Sequence, residues 1–259
     1  MKPSSDSGQP VEAAVAAARA WIDEASRIVV LTGAGISTDS GISDFRGPQG
    51  VWTKDPKAQQ LSSIHVYVSD PEVRKAAWRT RLDHPAWRAA PNAGHRALVE
   101  LERRGKLLAL VTQNIDGLHR RAGHSRDRVI EVHGTMHDAM CMQCGWRGPM
   151  QATLDRVRAG DEDPRCEQCG GILKSATISF GQPLVPAVVE RAIEAAGRAE
   201  LFIAIGTSLQ VYPIAGLVPL AHSAGARIII ANGEPTPMDQ LADAVIRSPL
   251  SQVLPQLCC

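Results

Sequence analysis

Four short apolar runs in this chain each stop at a loop of glycines, amides or small hydroxyl residues. Residues 27–31 lead to Gly33-Ala34-Gly35, and residues 107–112 to Gln113-Asn114-Ile115-Asp116. The run 200–206 leads to Gly206-Thr207-Ser208, and residues 227–231 to Asn232-Gly233-Glu234. Runs this short and this continuously apolar read as strands buried on both faces. Helix-sized stretches lie between or beside them at 11–25, 91–105, 183–197 and 214–224. Alternation of this kind predicts an α/β fold, a Rossmann-like parallel sheet with helices on both faces. Ligands of such sheets bind in the crevice at the carboxyl ends of the strands, so the four loops predict one composite site. A further strand, 128–132, ends at His133-Gly134.

Residues 138–174 break the alternation. They carry four of the six cysteines in the spacing C-x2-C-x21-C-x2-C: Cys141, Cys144, Cys166 and Cys169. Each C-x2-C knuckle offers two thiolates from one turn, and four sulfurs complete the tetrahedron of a closed structural zinc. No open coordination position remains for catalysis. The domain plan is therefore a Rossmann-like body over 11–52, 92–137 and 175–257, a mostly polar helical insert at 53–91 and a zinc-ribbon module at 138–174. Pro56, Pro71 and Pro85 break the insert, and residues 1–10 read as a disordered tail. The remaining pair, Cys258 and Cys259, reads as a frayed end with exposed thiols.

Basic and acidic residues balance, 28 against 27, for a net charge of +1, and aromatics make up 4% of the chain. Neither favours nucleic acid or an anionic membrane as partner. No apolar stretch approaches the roughly 20 residues of a membrane span. With no leader-like segment and with paired metal-type cysteines, the chain reads as cytoplasmic.

Gly33-Ala34-Gly35 opens a phosphate-type turn, but Thr38 stands where a third glycine would complete the dinucleotide fingerprint. No second strand ending in an acidic residue follows, which argues against a hydride-transferring dehydrogenase. Instead, residues 33–53 have the composition of a mobile loop folding over a cofactor, with Asp44, Phe45 and Arg46. A plain surface loop with an Asp44–Arg46 ion pair is the simpler reading of those charges. His133, beside a glycine at a strand end, suits general-base chemistry near neutral pH. His119 reads as supporting.

The 33–53 run, Thr112-Gln113-Asn114-Ile115-Asp116-Gly117-Leu118-His119, His133-Gly134, Gly206-Thr207-Ser208-Leu209 and Glu234-Pro235-Thr236-Pro237 together resemble the sirtuin family, in its bacterial form. The similarity runs from about residue 11 to 257. The resemblance implies an NAD-dependent protein-lysine deacylase, with NAD consumed as co-substrate and acylated lysine in proteins or peptides as partner. It implies that Gly33, Ala34, Gly35, Ile36, Asp44, Phe45 and Arg46 bind NAD. Gln113, Asn114, Ile115 and Asp116 would hold the nicotinamide end, and Gly206, Thr207 and Ser208 the phosphates. Asn232 and Glu234 would meet the adenosine ribose, and Leu250 the adenine. His133 would be the proton acceptor, with Asn114 as the second catalytic residue. The acyl peptide would add as a strand between 178–181, with Ile178, Phe180 and Gly181, and 209–213, with Val211.

Three positions depart from the family pattern. Ser43 replaces a proline and Gln182 a glutamate. Trp78-x-x-Arg81 stands where relatives that remove acidic acyl groups carry Tyr-x-x-Arg, which favours deacetylation over desuccinylation. Mono-ADP-ribosylation on the same scaffold, and a non-enzymatic zinc-ribbon interaction module, are the rival readings.

Overall fold

The computed structural model describes residues 11–55 and 63–259. The expected tail at 1–10 and the break at Pro56 lie outside the described residues. Among the described residues nine strands form two sheets: β1 Ile28–Thr32, β2 Leu107–Thr112, β3 Val129–Glu131, β4 Gly134–Cys141, β5 Arg147–Pro149, β6 Leu173–Thr177, β7 Leu201–Ile205, β8 Arg227–Ala231 and β9 Ala244–Ile246. The large sheet runs β3-β2-β1-β7-β8-β9, parallel throughout. Its order reverses between β1 and β7, which is where a doubly wound sheet opens its binding crevice.

The register supports the composite-site reading. Thr32 pairs with both Thr112 and Ile205, Ile205 with Ala231, and Ala231 with Ile246. The loops after β1, β2, β7 and β8 therefore leave the sheet at one level.

Alternate residues of each strand feed two cores. Ile28 and Val30 pack with the helices Val11–Glu24, Ala93–Arg103 and Leu250–Cys258. Val29 and Leu31 pack with Pro186–Gly197 and Leu217–Ser223 on the other face. Both faces are covered, so the strands are uniformly apolar rather than alternating.

The carboxyl terminus corrects the sequence reading. Leu250–Cys258 is helical, and Leu254, Leu257 and Cys258 are buried in the first core. Arg104 and Arg19 donate to the carbonyls of Cys258 and Cys259 at 3.1 and 3.2 Å. The end is thus docked; of the two terminal cysteines Cys258 is buried and Cys259 exposed. Its apolar face shows only against its two partner helices, and Pro255 inside it masks a helical pattern.

The small sheet, β5-β4-β6, is antiparallel. Between its knuckles the module carries a helix, Met150–Arg158, that composition alone did not reveal. Met150, Leu154 and Val157 pack with Ala139, Leu173 and Trp78, the last from the insert helix Pro71–Leu82. Arg74 of that helix is buried and pairs with Asp163 of the module at 2.9 Å. Insert and module thus share a third core.

Candidate active site at the strand ends

The floor of the crevice is backbone pressed on backbone. Gly33 N–H donates to the Ile205 carbonyl at 3.0 Å and Gly35 N–H to the Gly206 carbonyl at 2.9 Å. A Cβ on Gly33 would lie 2.6 Å from the Gly206 oxygen, and one on Gly35 2.8 Å from Gly206 Cα. Gly206 has φ +59, and a Cβ there would sit 2.5 Å from Ile36 N. Three glycines are needed because two loops cross here without side chains between them. A 3-10 turn, Ala34–Ser40, leaves this floor with Ile36 and Ser37 buried beneath it.

The amide loop after β2 closes one side. Gln113 donates to Thr207 Oγ1 at 2.9 Å, and Asn114 Nδ2 to the Gly33 carbonyl at 3.0 Å and Ser37 Oγ at 3.2 Å. Asp116 is buried, accepting from Ser37 Oγ at 2.7 Å and from Leu118 N–H at 2.9 Å. Behind Ser37 stands His95, fully buried, at 3.5 Å. Its Nδ1 accepts the Asn92 N–H in a capping box, so its own proton sits on Nε2, facing Ser37. Burial drives its pKa down to about 4, so this imidazole is neutral. Gln113, Asn114 and Asp116 thus meet the β1 and β7 loops, as the sequence suggested.

His133 lies just past β3. Its Nδ1 faces the Gln113 carbonyl at 3.0 Å. A carbonyl only accepts, so Nδ1 carries the proton and Nε2 keeps its lone pair. Burial lowers its pKa, with the Gln113 carbonyl acting the other way. The His133 carbonyl accepts Ile178 N–H at 2.8 Å, which starts the segment Ile178–Gly181 beside the histidine. Phe180 is exposed, Gly181 has φ +81, and the half-buried Val211 lies after the β7 loop.

The loop at 41–55 settles the surface-pair alternative. Among the described residues no ion pair joins Asp44 to Arg46. Asp44 accepts Gly47 N–H at 3.1 Å, and Arg46 lies over the Trp52 ring at 4.5 Å. Phe45 stacks on Trp52 at 4.6 Å, and Trp52 reaches Phe180 at 5.3 Å. The sequence reading had named Phe45 and Phe180 but passed over Trp52, which joins them.

The ligand atoms of Cys141, Cys144, Cys166 and Cys169 all lie within 4.8 Å of one another. Four thiols converging without forming disulfides fit one tetrahedral zinc.

Among known proteins, the Sir2 family model matches residues 33–213. "NAD-dependent protein deacetylase 2" of Streptomyces coelicolor is 50% identical over 230 residues, covering 89% of this chain and 95% of that protein. The chain belongs to the Sir2 family. The "NAD-dependent protein deacetylase" of Rhodopseudomonas palustris is 42% identical across 90% of this Sir2 chain and 91% of its own length. A solved structure described as "Structural Basis for the Mechanism and Regulation of Sir2 Enzymes" superposes with a TM-score of 0.86 at 38% identity, covering 95% of this chain and 97% of that one. Another, "Sir2-p53 peptide-NAD+", gives 0.82 at 33% identity over 91% and 93%.

Elsewhere in this Sir2 chain the sequence-named residues fall at different depths. Asn232 donates to the Glu234 carbonyl at 2.7 Å, and Leu250 opens the last helix. Arg247, unnoticed in the sequence, fixes that edge by donating to the Asn232 carbonyl at 2.7 Å and pairing with Asp239. Trp78 is fully buried in the third core, which leaves it no face for a substrate. Arg81 lies 4.9 Å over Trp78 and 5.6 Å over Tyr67, and its buried Nη1 has no hydrogen-bond partner among the described residues. Tyr67 and the fully buried Lys174 were not anticipated. Burial and Arg81 hold Lys174 down to about 8. Among the described residues no helix is long and apolar enough to cross a membrane.

Proposed function

We propose that this Sir2 protein removes acyl groups from lysine side chains of proteins and peptides, consuming NAD. The products are nicotinamide, free lysine and O-acyl-ADP-ribose, and acetyl-lysine is the preferred substrate. One observation carries this reading: His133, protonated on Nδ1 and with a free Nε2, stands between a side-chain-free backbone crevice and the segment 178–181. The crevice floor suits a diphosphate resting on backbone. Asn114 and Asp116 hold the carboxamide end, and the Phe45–Trp52 stack covers the ribose. His133 takes a proton from a ribose hydroxyl at Nε2, in its neutral form because burial has lowered its pKa. The Cys141, Cys144, Cys166 and Cys169 thiolates hold one zinc that supplies structure rather than chemistry. Four reduced thiols also favour a reducing cytoplasm.

Two solved relatives, "Sir2 bound to acetylated peptide" and "Structure of Sir2Tm bound to a propionylated peptide", support a peptide substrate with a short acyl chain. A second reading, an acidic acyl group, is favoured by the unpartnered Arg81 Nη1. The test is mass spectrometry of acetyl-, propionyl- and succinyl-lysine peptides incubated with NAD. Acetyl-lysine turned over fastest, with O-acetyl-ADP-ribose formed, supports the proposal. Faster succinyl turnover would move the preference to Arg81. ADP-ribosylated protein without O-acetyl-ADP-ribose would sink deacylation altogether.

A further inference from the structure

The strand that begins the zinc module runs directly against the amide loop. β4 leaves the His133-Gly134 corner and ends on Cys141, the first zinc ligand. Midway, two consecutive residues of β4 grip two consecutive residues of the loop. Met136 N–H donates to the Ile115 carbonyl at 3.0 Å, and His137 Nε2 meets the Asp116 carbonyl at 2.8 Å. A carbonyl only accepts, so His137 carries its proton on Nε2 and donates. Trp87 meets the imidazole edge-on at 5.5 Å, and the His137 backbone N–H donates to Thr135 Oγ1 at 3.2 Å, so ring and backbone are each held. Gly117, at φ +71, has its Cβ position only 2.7 Å from His137 Nε2. Glycine at 117 thus both permits the left-handed turn and makes room for the ring.

We propose that His137 is a positioning residue that ties the zinc module to the nicotinamide end of the site. Asp116 is held at three points. Ser37 and Leu118 fix its two carboxylate oxygens, and His137 fixes its carbonyl. The first two bonds come from the turn after β1 and from the start of the helix Leu118–Ala122. Only the third comes from β4, the strand that leads into the module, and it sets the tilt of the 116–117 peptide. Release of that carbonyl lets the turn at Gly117 relax and the carboxylate swing, and small misplacements of binding groups lower rates steeply. The same bond makes the metal site and the crevice one mechanical unit: Cys141 anchors the strand's end, and His137 lies four residues before it on the same strand.

The inference rests on the NAD-dependent reading for its kinetic readout, and on no activity at all for its structural one. The variants are His137→Gln, whose amide reaches the Asp116 carbonyl, and His137→Asn, which is one methylene too short. Zinc content and melting temperature are measured for both. Hydrogen exchange of the peptide spanning 113–118 is followed without substrate. The expected result is faster exchange in His137→Asn and near-native protection in His137→Gln, both with zinc bound. KM for NAD and the nicotinamide inhibition constant should rise roughly tenfold in the asparagine variant, with KM for the acyl peptide unchanged and the glutamine variant close to wild type. Should the asparagine variant not fold, His137→Leu, which fills the space beside Trp87, takes its place. Native exchange in the short variant, or a glutamine variant as impaired as it, overturns the proposal. Wild-type protein that does not turn over NAD would refute the functional reading and leave the exchange result standing.

Discussion

The Nδ1–H of His133 donates to the backbone carbonyl of Gln113 at 3.0 Å, so the tautomer of the histidine is set by the loop that also binds Thr207 and Gly33. Burial favours the neutral ring and lowers its pKa below the ordinary 6.5. Because the neutral form is the base, kcat/KM should be flat near neutral pH and fall as acid protonates it, with the midpoint below 6.5. His133→Ala should keep its fold and zinc and lose two or more orders of magnitude in deacylation, within the roughly 10²–10⁴ range of general-base catalysis. A pH-rate profile and circular dichroism of the variant check both, and wild-type turnover in His133→Ala would remove the residue from the mechanism.

Gly33 tests the crevice floor. Alanine there would place its Cβ 2.6 Å from the Gly206 oxygen and 2.7 Å from Thr207 Cβ, neither able to retreat without moving β7. Forced contacts of this kind cost about 1–3 kcal/mol, and KM for NAD should rise along with them. Gly105→Ala makes the control. Its φ of +70 strains alanine by about 1 kcal/mol, but nothing lies within 4 Å and it caps a helix far from the site. Chemical denaturation and NAD titration of the two variants should diverge only in the second measurement.

The zinc module should behave as part of the fold. Cys141 and Cys166 lie in the same buried cluster as Trp78 and Leu154. Cys144→Ala, or a strong chelator, should therefore lower the melting temperature and loosen the insert helix, not merely slow the chemistry. Trp78→Ala should cost about 3–5 kcal/mol as a large buried deletion and weaken zinc retention. A fully active, zinc-free Cys144→Ala protein would contradict the structural role of the metal.

Three buried imidazoles make stability fall in mild acid. His95 is held down to about 4, His119 well below its ordinary value, and His124 lower by burial despite Glu102 at 2.6 Å. Their folded pKa values are depressed, so the unfolded chain binds more protons between the two values. Stability is full above about 6.5 and declines as the pH drops toward about 4. For His95 alone the shift corresponds to on the order of 3 kcal/mol. Thermal melts from pH 7.5 down to 5 check this; an unchanged melting temperature would mean that the rings titrate alike in the folded and unfolded chain.

The zinc set, the parallel sheet and the strand-end loops were legible because each is written locally. The C-x2-C spacing encodes a knuckle, and Leu201–Ile205 is too short and too apolar for anything but a buried strand. Ala244–Ile246 and the last helix were missed because three residues carry no period and Pro255 interrupts one. Met150–Arg158 was missed because its buried face is matched by Trp78, Ala139 and Leu173, none of them beside it in sequence. Trp78 itself was placed near the substrate by its spacing from Arg81. Helical geometry put Arg81 over its ring instead, and buried it under the module.

By itself the sequence determined that this chain folds as an α/β sheet with a four-cysteine zinc module, and it nominated for the chemistry the strand ends carrying Gly33, Asn114, His133 and Gly206. Those properties follow from short-range patterns of hydrophobicity, turn glycines and ligand spacing. Only the tertiary structure decided which nitrogen of His133 is free, that Gly33 and Gly206 are in backbone contact, and that His137 of β4 donates to the Asp116 carbonyl. The physical reason is the same in each case. Hydrogen-bond partners and close approaches between segments tens to hundreds of residues apart depend on how β1 aligns with β7, β2 with β3, and β4 with the loop after β2, and no local pattern encodes it.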